Sequence, residues 1–186
     1  PGVRVTVFFK GCPLSCRWCH NPESISFKTE KLYNKNKCIG CGSCVAVCPE
    51  NALTLTKTDG VVTDFEKCIL CGKCAEVCPT KAIEMSGRNY SEEEVMAAVL
   101  KETHMMDASG GGVTFSGGEP LMYPEALKSL LIRCGREGVH RAVDTSGSVR
   151  SAVVEEILPH TDLFLYDLKL MDAQAHRKWV GADNAL

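Results

Sequence analysis

Cysteine is the residue type whose spacing in this sequence has the clearest chemical meaning, because eleven of its twelve copies lie in three short segments. The first segment contains Cys12, Cys16 and Cys19, and each of the other two contains four cysteines. Cysteines two or three residues apart are poorly placed to form disulfides with one another, and such clusters typically bind metal. The sequence therefore predicts metal centres ligated by thiolates, in a reducing compartment.

The second and third segments repeat one pattern at an offset of thirty residues: KCIGCGSCVAVCPENAL begins at Lys37 and KCILCGKCAEVCPTKAI at Lys67. Their C-x2-C-x2-C-x3-C-P spacing resembles that of bacterial ferredoxins, in which the fourth cysteine of each run ligates the other [4Fe-4S] cluster. The resemblance implies one cluster held by Cys38, Cys41, Cys44 and Cys78, and another held by Cys68, Cys71, Cys74 and Cys48. Two structural zinc sites are the alternative, although zinc favours two separated pairs of cysteines.

The first segment differs because its C-x3-C-x2-C spacing supplies three thiolates. Three thiolates on a cubane leave one iron open, and an open coordination position distinguishes a chemical site from a structural one. Cys134, the twelfth cysteine, is a candidate fourth ligand, but it falls on the apolar stripe of a predicted helix. We therefore favour packing in the core as the role of Cys134, and we interpret the first segment as the catalytic centre.

Four predicted strands, at residues 3–9, 113–115, 141–143 and 163–166, alternate with helical patterns. This alternation predicts an α/β fold with parallel strands and helical crossovers. Ligand-binding groups in such sheets lie at the carboxyl ends of the strands. One polar group follows each strand in turn: the first cysteine segment, Gly117-Gly118-Glu119, Asp144, and Asp167 with Lys169. We expect these groups to meet at one end of the sheet.

Charge and hydrophobicity exclude two classes of partner. The formal net charge of -2 provides no general attraction to nucleic acid or to an anionic membrane. No apolar run approaches the roughly 18 residues of a membrane-spanning helix. We therefore predict no nucleic-acid partner, no membrane association and a cytoplasmic location. Residues 28–37 are polar and rich in lysine, which predicts a linker into the repeated segments.

Four motifs in order, GCPLSCRWCHNPE, SGGEP, DTSG and DLK, resemble those of the radical S-adenosylmethionine (SAM) superfamily. Within it, the chain is similar to activating enzymes of glycyl radical enzymes that carry a two-cluster ferredoxin insert. The resemblance implies a partial radical SAM (β/α) barrel at residues 1–29 and 87–186, interrupted by a ferredoxin-like insert at residues 30–86. It also leads us to expect that the chain is a fragment lacking the C-terminal part of the barrel.

In that family, SAM chelates the open iron of the catalytic cluster through its amino and carboxylate groups. One electron then cleaves SAM to methionine and a 5′-deoxyadenosyl radical, which takes a hydrogen from a glycine of a partner enzyme. The resemblance therefore implies an oxidoreductase with three [4Fe-4S] clusters, SAM, a glycyl radical enzyme as protein substrate, and a ferredoxin- or flavodoxin-type electron donor. The accessible iron implies an anaerobic cytoplasm.

The resemblance also assigns roles around SAM. Trp18 contacts the adenine region, and Gly117, Gly118 and Glu119 lie at the methionyl amino group. Leu168 and Lys169 belong to the DLK motif, with Lys169 near the SAM carboxylate or ribose. A monovalent cation is expected near Asp144, Thr145 and Asp167, because two converging carboxylates repel each other. Simple packing is the alternative for Trp18, and a helix cap is the alternative for Asp144.

Two other functions are consistent with the same residues. The first is an electron-transfer protein with the host domain as a docking scaffold, although the first cysteine segment and Gly117-Gly118-Glu119 argue against it. The second is a radical SAM enzyme that acts on a small molecule or on a different protein residue. The hydrogen donor distinguishes the second alternative from glycyl radical enzyme activation.

Overall fold

Two units make up residues 2–185, which the computed structural model describes. One unit combines Pro1–Phe27 with Asn89–Leu186, and the other is Lys28–Arg88. The second unit extends two residues beyond each end of the insert expected at residues 30–86. None of the described helices reaches the length and hydrophobicity that a membrane span requires.

The strands are β1 (Arg4–Phe9), β2 (Glu30–Tyr33), β3 (Leu53–Thr56), β4 (Gly60–Thr63), β5 (Ile83–Ser86), β6 (Gly112–Gly117), β7 (Arg141–Thr145) and β8 (Leu163–Tyr166). The helices are α1 (Ser43–Ala46), α2 (Lys73–Glu76), α3 (Glu92–Leu100), α4 (Thr103–Ser109), α5 (Pro124–Arg136), α6 (Ser151–Ile157) and α7 (Ala173–Val180). Short 3-10 turns lie at Pro22–Ser24, Lys35–Lys37, Pro120–Met122 and Leu158–His160.

A four-stranded sheet in the order β1-β6-β7-β8 forms the centre of the first unit, and all of its neighbours pair in parallel. The central strand β6 is buried along nearly its whole length, as expected where both faces of a parallel sheet are covered. Parallel pairing brings the carboxyl ends of all four strands to one edge. The predicted α/β class with parallel strands is therefore confirmed.

The apolar core lies between this sheet and the helices that connect its strands. Leu127 and Leu131 of α5 are fully buried, and they belong to one cluster with Val99 of α3, Phe115 of β6 and Ile157 of α6. This core fixes the sheet as a rigid support for the loops at its carboxyl edge.

Local signals in the sequence place the helix ends correctly. Ser91 and Glu94 form a capping box at the start of α3, as residues of these types three positions apart are able to do. The Asp172 carboxylate accepts a hydrogen bond from the backbone of Ala175 and caps α7. The prediction of a linker at residues 28–37 was wrong, because this stretch contains β2, which pairs antiparallel with β5, and a 3-10 turn. Its polar composition concealed an extended strand that is defined by a partner fifty residues away in sequence.

The second unit has the internal symmetry of its sequence. Strand β2 pairs with β5, and β4 pairs with β3, in two antiparallel ladders of equivalent register. Helices α1 and α2 each follow a glycine in the left-handed conformation, Gly42 and Gly72. A small core that includes Leu53, Val61 and Ile83 packs against the cysteines.

An ion pair at the amino ends of β7 and β8 supports a first prediction. The Asp162 carboxylate accepts from the backbone nitrogen, Nε and Nη2 of Arg141 at 2.8, 2.8 and 2.7 Å, and Arg141 lowers the pKa of Asp162 to about 2. Because the folded-state pKa is depressed, this contribution to stability is present at neutral pH and is lost as the pH falls toward about 2. We expect Asp162→Asn to lower the free energy of unfolding at pH 7 by about 1 kcal/mol, since partial exposure screens the pair.

Urea denaturation at pH 7 measures this effect, with Asp183→Asn as the matched control. Asp183 pairs with Arg177 at the surface, and both of these side chains are more exposed than those of Arg141 and Asp162. The control should leave the unfolding midpoint unchanged. Equal effects of the two substitutions would contradict a specific role for the Arg141–Asp162 pair.

Candidate functional site

The loop after β1 carries Cys12, Cys16 and Cys19, and two other segments hold it in place. The backbone nitrogen of Cys12 donates to the carbonyl of Ile25 at 3.0 Å, while that of Ser15 donates to Val180, the last residue of α7, at 2.9 Å. These bonds fix the course of the chain on both sides of Cys12. The thiols therefore project from a loop that the backbone has already ordered.

A cavity of about 470 Å³ opens beside this loop at the carboxyl edge of the parallel sheet. Ten residues named from the sequence line it: Cys12, Cys16, Trp18, Cys19, Gly117, Gly118, Asp144, Thr145, Asp167 and Lys169. They come from the carboxyl ends of four different strands and from the segments that follow them. The structure thus brings together groups that are more than 150 positions apart in the chain.

The glycines of the Gly117-Gly118 pair lie where the backbone of β6 meets the cysteine loop. A Cβ atom on Gly118 would lie 2.2 Å from the carbonyl oxygen of Gly11, and one on Gly117 would lie 2.4 Å from that of Phe9. Gly117 also has a φ of +108°, which favours glycine. Both glycines are therefore needed for the close approach of two strand ends, independently of any ligand.

Glu119 lies behind the cavity wall and is fully buried. Its Oε1 accepts from Thr145 Oγ1 at 2.6 Å and from the backbone nitrogen of Leu121 at 3.2 Å. Its Oε2 accepts from the backbone nitrogen and Oγ of Ser146 at 3.0 and 2.7 Å. Its own backbone nitrogen donates to the carbonyl of Gly11 at 2.8 Å. Glu119 therefore joins the ends of β1, β6 and β7, whereas the sequence suggested a contact with the ligand.

The remaining carboxylates differ in their partners. Asp144 accepts from Ser116 Oγ at 2.7 Å, so within the structure it pairs with the neighbouring strand. Asp167 forms an ion pair with the ammonium of Lys169. Burial lowers the pKa of Lys169, but the hydrogen bond and charge of Asp167 outweigh burial and the net pKa is raised. Lys169 is therefore a fixed positive charge at the cavity.

Two residues from the predicted set have contrasting positions. Trp18 lines the cavity with 44% of its surface exposed, which leaves its ring accessible to a ligand. Leu168 is 75% exposed and does not line this cavity, but it lines an adjoining hollow to which Asp167 and Lys169 also contribute.

Thiolate ligands must lose their protons, so the electrostatics of the cysteine loop bear on metal binding. Burial raises the pKa of the Cys12 thiol, and the charge of Glu119 raises it further. Burial also raises the pKa of the Cys16 thiol, and the positive charge of Lys169 opposes that rise. A bound cationic cluster stabilises the thiolate form, so the loop suits metal ligation better than free thiolate chemistry.

Two smaller cavities lie in the second unit, and each is lined by four cysteines. The first insert cavity contains Cys38, Cys41, Cys44 and Cys78, and the second insert cavity contains Cys48, Cys68, Cys71 and Cys74. Each combines three cysteines of one repeat with the fourth of the other, which is the grouping that the ferredoxin resemblance implies. Within residues 2–185, no three His, Cys, Asp or Glu side chains converge on a position for a single ion.

Cys134 lies outside these groups. It is fully buried on α5, and its Sγ lies 3.6 Å from the Sδ of Met96 in the apolar core. Burial raises the pKa of its thiol to about 11. The preference for a packing role over a fourth ligand agrees with this location.

Sequence reasoning did not single out several residues of the large cavity. They are Leu14, His20, Asn21, Ser24, Ile25, Ser116 and Ser146. Ser116 and Ser146 stand inside the SGGEP and DTSG motifs, so the motifs contained the signal for them. Ser24 and Ile25 had no such signal, because they reach the cavity through the turn that hydrogen-bonds the cysteine loop.

Comparison with known proteins identifies two domain families within the chain. Residues 37–82 match the family described as a 4Fe-4S dicluster domain. Residues 1–56 match the family described as a 4Fe-4S single cluster domain. A solved domain of a pyruvate-formate lyase-activating enzyme from Bacteroides vulgatus ATCC 8482 is 49% identical, with a TM-score of 0.39. The match covers 41% of this chain and 48% of the chain of that domain.

Three curated relatives align with almost the whole chain. The trans-4-hydroxy-L-proline dehydratase activating enzyme of Clostridioides difficile is 43% identical over 100% of this chain and 62% of its own length. The choline trimethylamine-lyase activating enzyme of Oleidesulfovibrio alaskensis is 41% identical over 100% and 61%. The benzylsuccinate synthase activating enzyme of Thauera aromatica is 43% identical over 97% and 56%. The chain is therefore similar over almost its whole length to these three activating enzymes, and it spans about three fifths of their length.

Proposed function

We propose that this chain holds SAM against a catalytic [4Fe-4S] cluster and that it acts in the activation of a glycyl radical enzyme. One observation carries the proposal. Three thiols with no fourth cysteine in their cavity face a space of about 470 Å³ that is also lined by Asp144, Asp167 and Lys169. A ligand with an amino acid head group fits a site that combines an incompletely ligated cluster with fixed charges of both signs.

We further propose that the chain carries three [4Fe-4S] clusters. Cys12, Cys16 and Cys19 would hold the catalytic one, and the two insert cavities would hold the others. When bound, the catalytic cluster supplies the single electron that cleaves SAM to methionine and the 5′-deoxyadenosyl radical, which abstracts hydrogen from a glycine of the partner. The dicluster match over residues 37–82 supports two clusters in the insert.

The chain's own residues orient SAM in this proposal. Trp18 is the exposed aromatic surface for the adenine region, and the backbone at Gly117 and Gly118 approaches the methionyl end closely. Lys169 provides an ammonium for the carboxylate or ribose. Glu119 positions the site indirectly, because its hydrogen bonds hold Thr145 and Ser146 in the cavity wall. Leu168 belongs to the proposed SAM-contact segment, in which its backbone would contact SAM.

A monovalent cation near Asp144, Thr145 and Asp167 is a further part of the proposal. In the structure, the Asp167 carboxylate is neutralised by Lys169. If Lys169 turns to the SAM carboxylate, Asp167 loses this partner while Asp144 still carries its own charge nearby. Two carboxylates on one cavity then favour a bound cation between them.

The partner and the electron donor follow from the relatives' names and from the insert. The relatives are activating enzymes of dehydratases, lyases and a synthase, so we propose that the substrate of this protein is another enzyme. A ferredoxin- or flavodoxin-type donor would deliver electrons through the insert. An iron with an open coordination position is sensitive to oxygen, and we propose an anaerobic cytoplasm as the location of this activity.

Anaerobic reconstitution and SAM cleavage test the proposal. We expect about twelve irons per chain, four for each of three clusters, and release of 5′-deoxyadenosine when the reduced protein is mixed with SAM. A glycyl radical signal in electron paramagnetic resonance, after addition of a candidate partner, completes the test. About eight irons with reversible redox cycling and no SAM binding would instead identify an electron-transfer protein. SAM cleavage without any glycyl radical would identify a radical SAM enzyme with another substrate.

A further inference from the structure

The two insert cavities are equivalent in the repeat but differ in charge. Apart from Leu70 and Ala82, their lining residues correspond at an offset of thirty positions. At three equivalent positions the residue is uncharged in the first insert cavity and charged in the second: Val61 and Lys31, Ser43 and Lys73, and Thr80 and Glu50. All described lining residues of the first insert cavity are uncharged. A cluster in the second insert cavity therefore has charged neighbours that its counterpart lacks.

The strand register shows that Lys31 and Val61 occupy the same structural position. Lys31 of β2 lies opposite Met85 of β5, and Val61 of β4 lies opposite Leu55 of β3. Met85 and Leu55 are themselves one repeat apart, and each lines the same cavity as its strand partner. Lys31 is thus a replacement of a buried apolar residue at a fixed place beside the cysteines.

Contacts within the unit hold the Lys31 ammonium in place. It donates to Thr63 Oγ1 and lies 6.0 Å from the centre of the Phe65 ring. In the equivalent place of the other half, the Tyr33 hydroxyl accepts from the backbone nitrogen of Val61 at 3.0 Å. The two halves of the repeat therefore make different hydrogen bonds at this position, and in one half the donor is the positively charged ammonium of Lys31.

Lys31 has a stronger influence on its cavity than the other two charged residues. Lys73 and Glu50 are exposed and opposite in sign, so solvent and salt screen them and their effects largely cancel. Lys31 is half-buried.

A positive charge near a cubane favours its reduced form, because reduction adds one electron and therefore one negative charge to the cluster. On the basis of the proposed function, we infer that Lys31 raises the reduction potential of the cluster in the second insert cavity above that of the cluster in the first. Each step is a one-electron transfer from the low-potential donor, and no bond or proton is exchanged. The pair would then accept electrons in a fixed order.

Potentiometric titration of the iron-loaded full chain tests this inference, with dithionite as the reductant and electron paramagnetic resonance as the readout. Replacing Cys12, Cys16 and Cys19 with alanine leaves only the pair in the insert, which makes the measurement independent of SAM chemistry. In this background we expect two separated one-electron steps. Lys31→Met should lower the equilibrium constant of the first step about tenfold, which corresponds to about 59 mV for one electron.

The internal repeat offers a mirrored variant and a control. Val61→Lys places an ammonium beside the first insert cavity, so the second step should become easier by about the same factor. The double variant Lys31→Met/Val61→Lys should restore two separated steps. Lys73→Ser removes an exposed charge and copies the residue of the other repeat, so it should change either step less than threefold.

The outcomes separate clearly. A shift of one step with Lys31→Met, and of the other with Val61→Lys, supports the inference, and Lys31→Arg should keep the wild-type values. Equal shifts of both steps, or changes below about threefold, would overturn it. If Lys31→Met loses iron, Val61→Lys alone decides the question. Failure of SAM cleavage in the wild-type chain would overturn the proposed function but leave the inference about Lys31 standing. Absence of both insert clusters would overturn the inference about Lys31.

Discussion

Cys16→Ala should abolish reductive SAM cleavage and reduce the iron content from about twelve to about eight per chain, because a cubane held by two thiolates is not retained. Cys16 lines the large cavity together with Cys12 and Cys19, in a loop that the backbone bonds of Cys12 and Ser15 hold in place. We expect the rate of 5′-deoxyadenosine release to fall by roughly a thousandfold or more, equivalent to about 4 kcal/mol of activation free energy. Anaerobic assays with iron analysis measure both quantities.

Cys134→Ala is the matched control for Cys16→Ala, since it also removes one cysteine of the first unit. Cys134 packs against Met96 in the core, away from the cavity. The control should keep about twelve irons and full SAM cleavage, and it should lose only about 1 kcal/mol of stability. SAM cleavage that survives in Cys16→Ala, or disappears in Cys134→Ala, would refute the assignment of the catalytic cluster.

Glu119→Gln should lower the free energy of unfolding by about 3 kcal/mol, because the buried carboxylate accepts four hydrogen bonds that an amide cannot all accept. Thr145 Oγ1 and the backbone nitrogen of Leu121 donate to Oε1, while both Ser146 donors point at Oε2. An amide nitrogen in place of either Oε1 or Oε2 would point at hydrogen-bond donors, to which it cannot bond as an acceptor. We also expect SAM binding to weaken by about tenfold, since Thr145 and Ser146 belong to the cavity wall.

Chemical denaturation and SAM titration of the same samples measure the two effects of Glu119→Gln. Glu155→Gln removes an exposed carboxylate of α6 and should change neither quantity. Ser146→Ala should reproduce part of the loss of stability, because it removes one of the four donors. A Glu119→Gln protein with wild-type stability but no SAM binding would show that Glu119 contacts SAM directly, in contrast to its buried position here.

Spacing along the chain determined the metal chemistry of this protein. The ferredoxin pattern, applied to the sequence alone, groups Cys78 with Cys38, Cys41 and Cys44, and the structure places these four around one cavity. The four polar groups after the parallel strands meet at one edge because parallel pairing aligns the carboxyl ends of strands. The capping box of Ser91 and Glu94 could likewise be inferred from the sequence, since it depends on two residues three positions apart.

Tertiary structure alone decided which polar groups face the cavity and which support it. Glu119 and Asp144 both lie at the carboxyl ends of strands, yet only the structure shows that Glu119 is buried among four donors while Asp144 lines the cavity. The polar stretch at residues 28–37 contains a strand because β5 pairs with it across some fifty residues. Lys31 became informative only when the register placed it where its repeat has Val61. Local spacing specifies which atoms can ligate a common centre, whereas burial and the sign of nearby charge depend on partners that are distant in the chain.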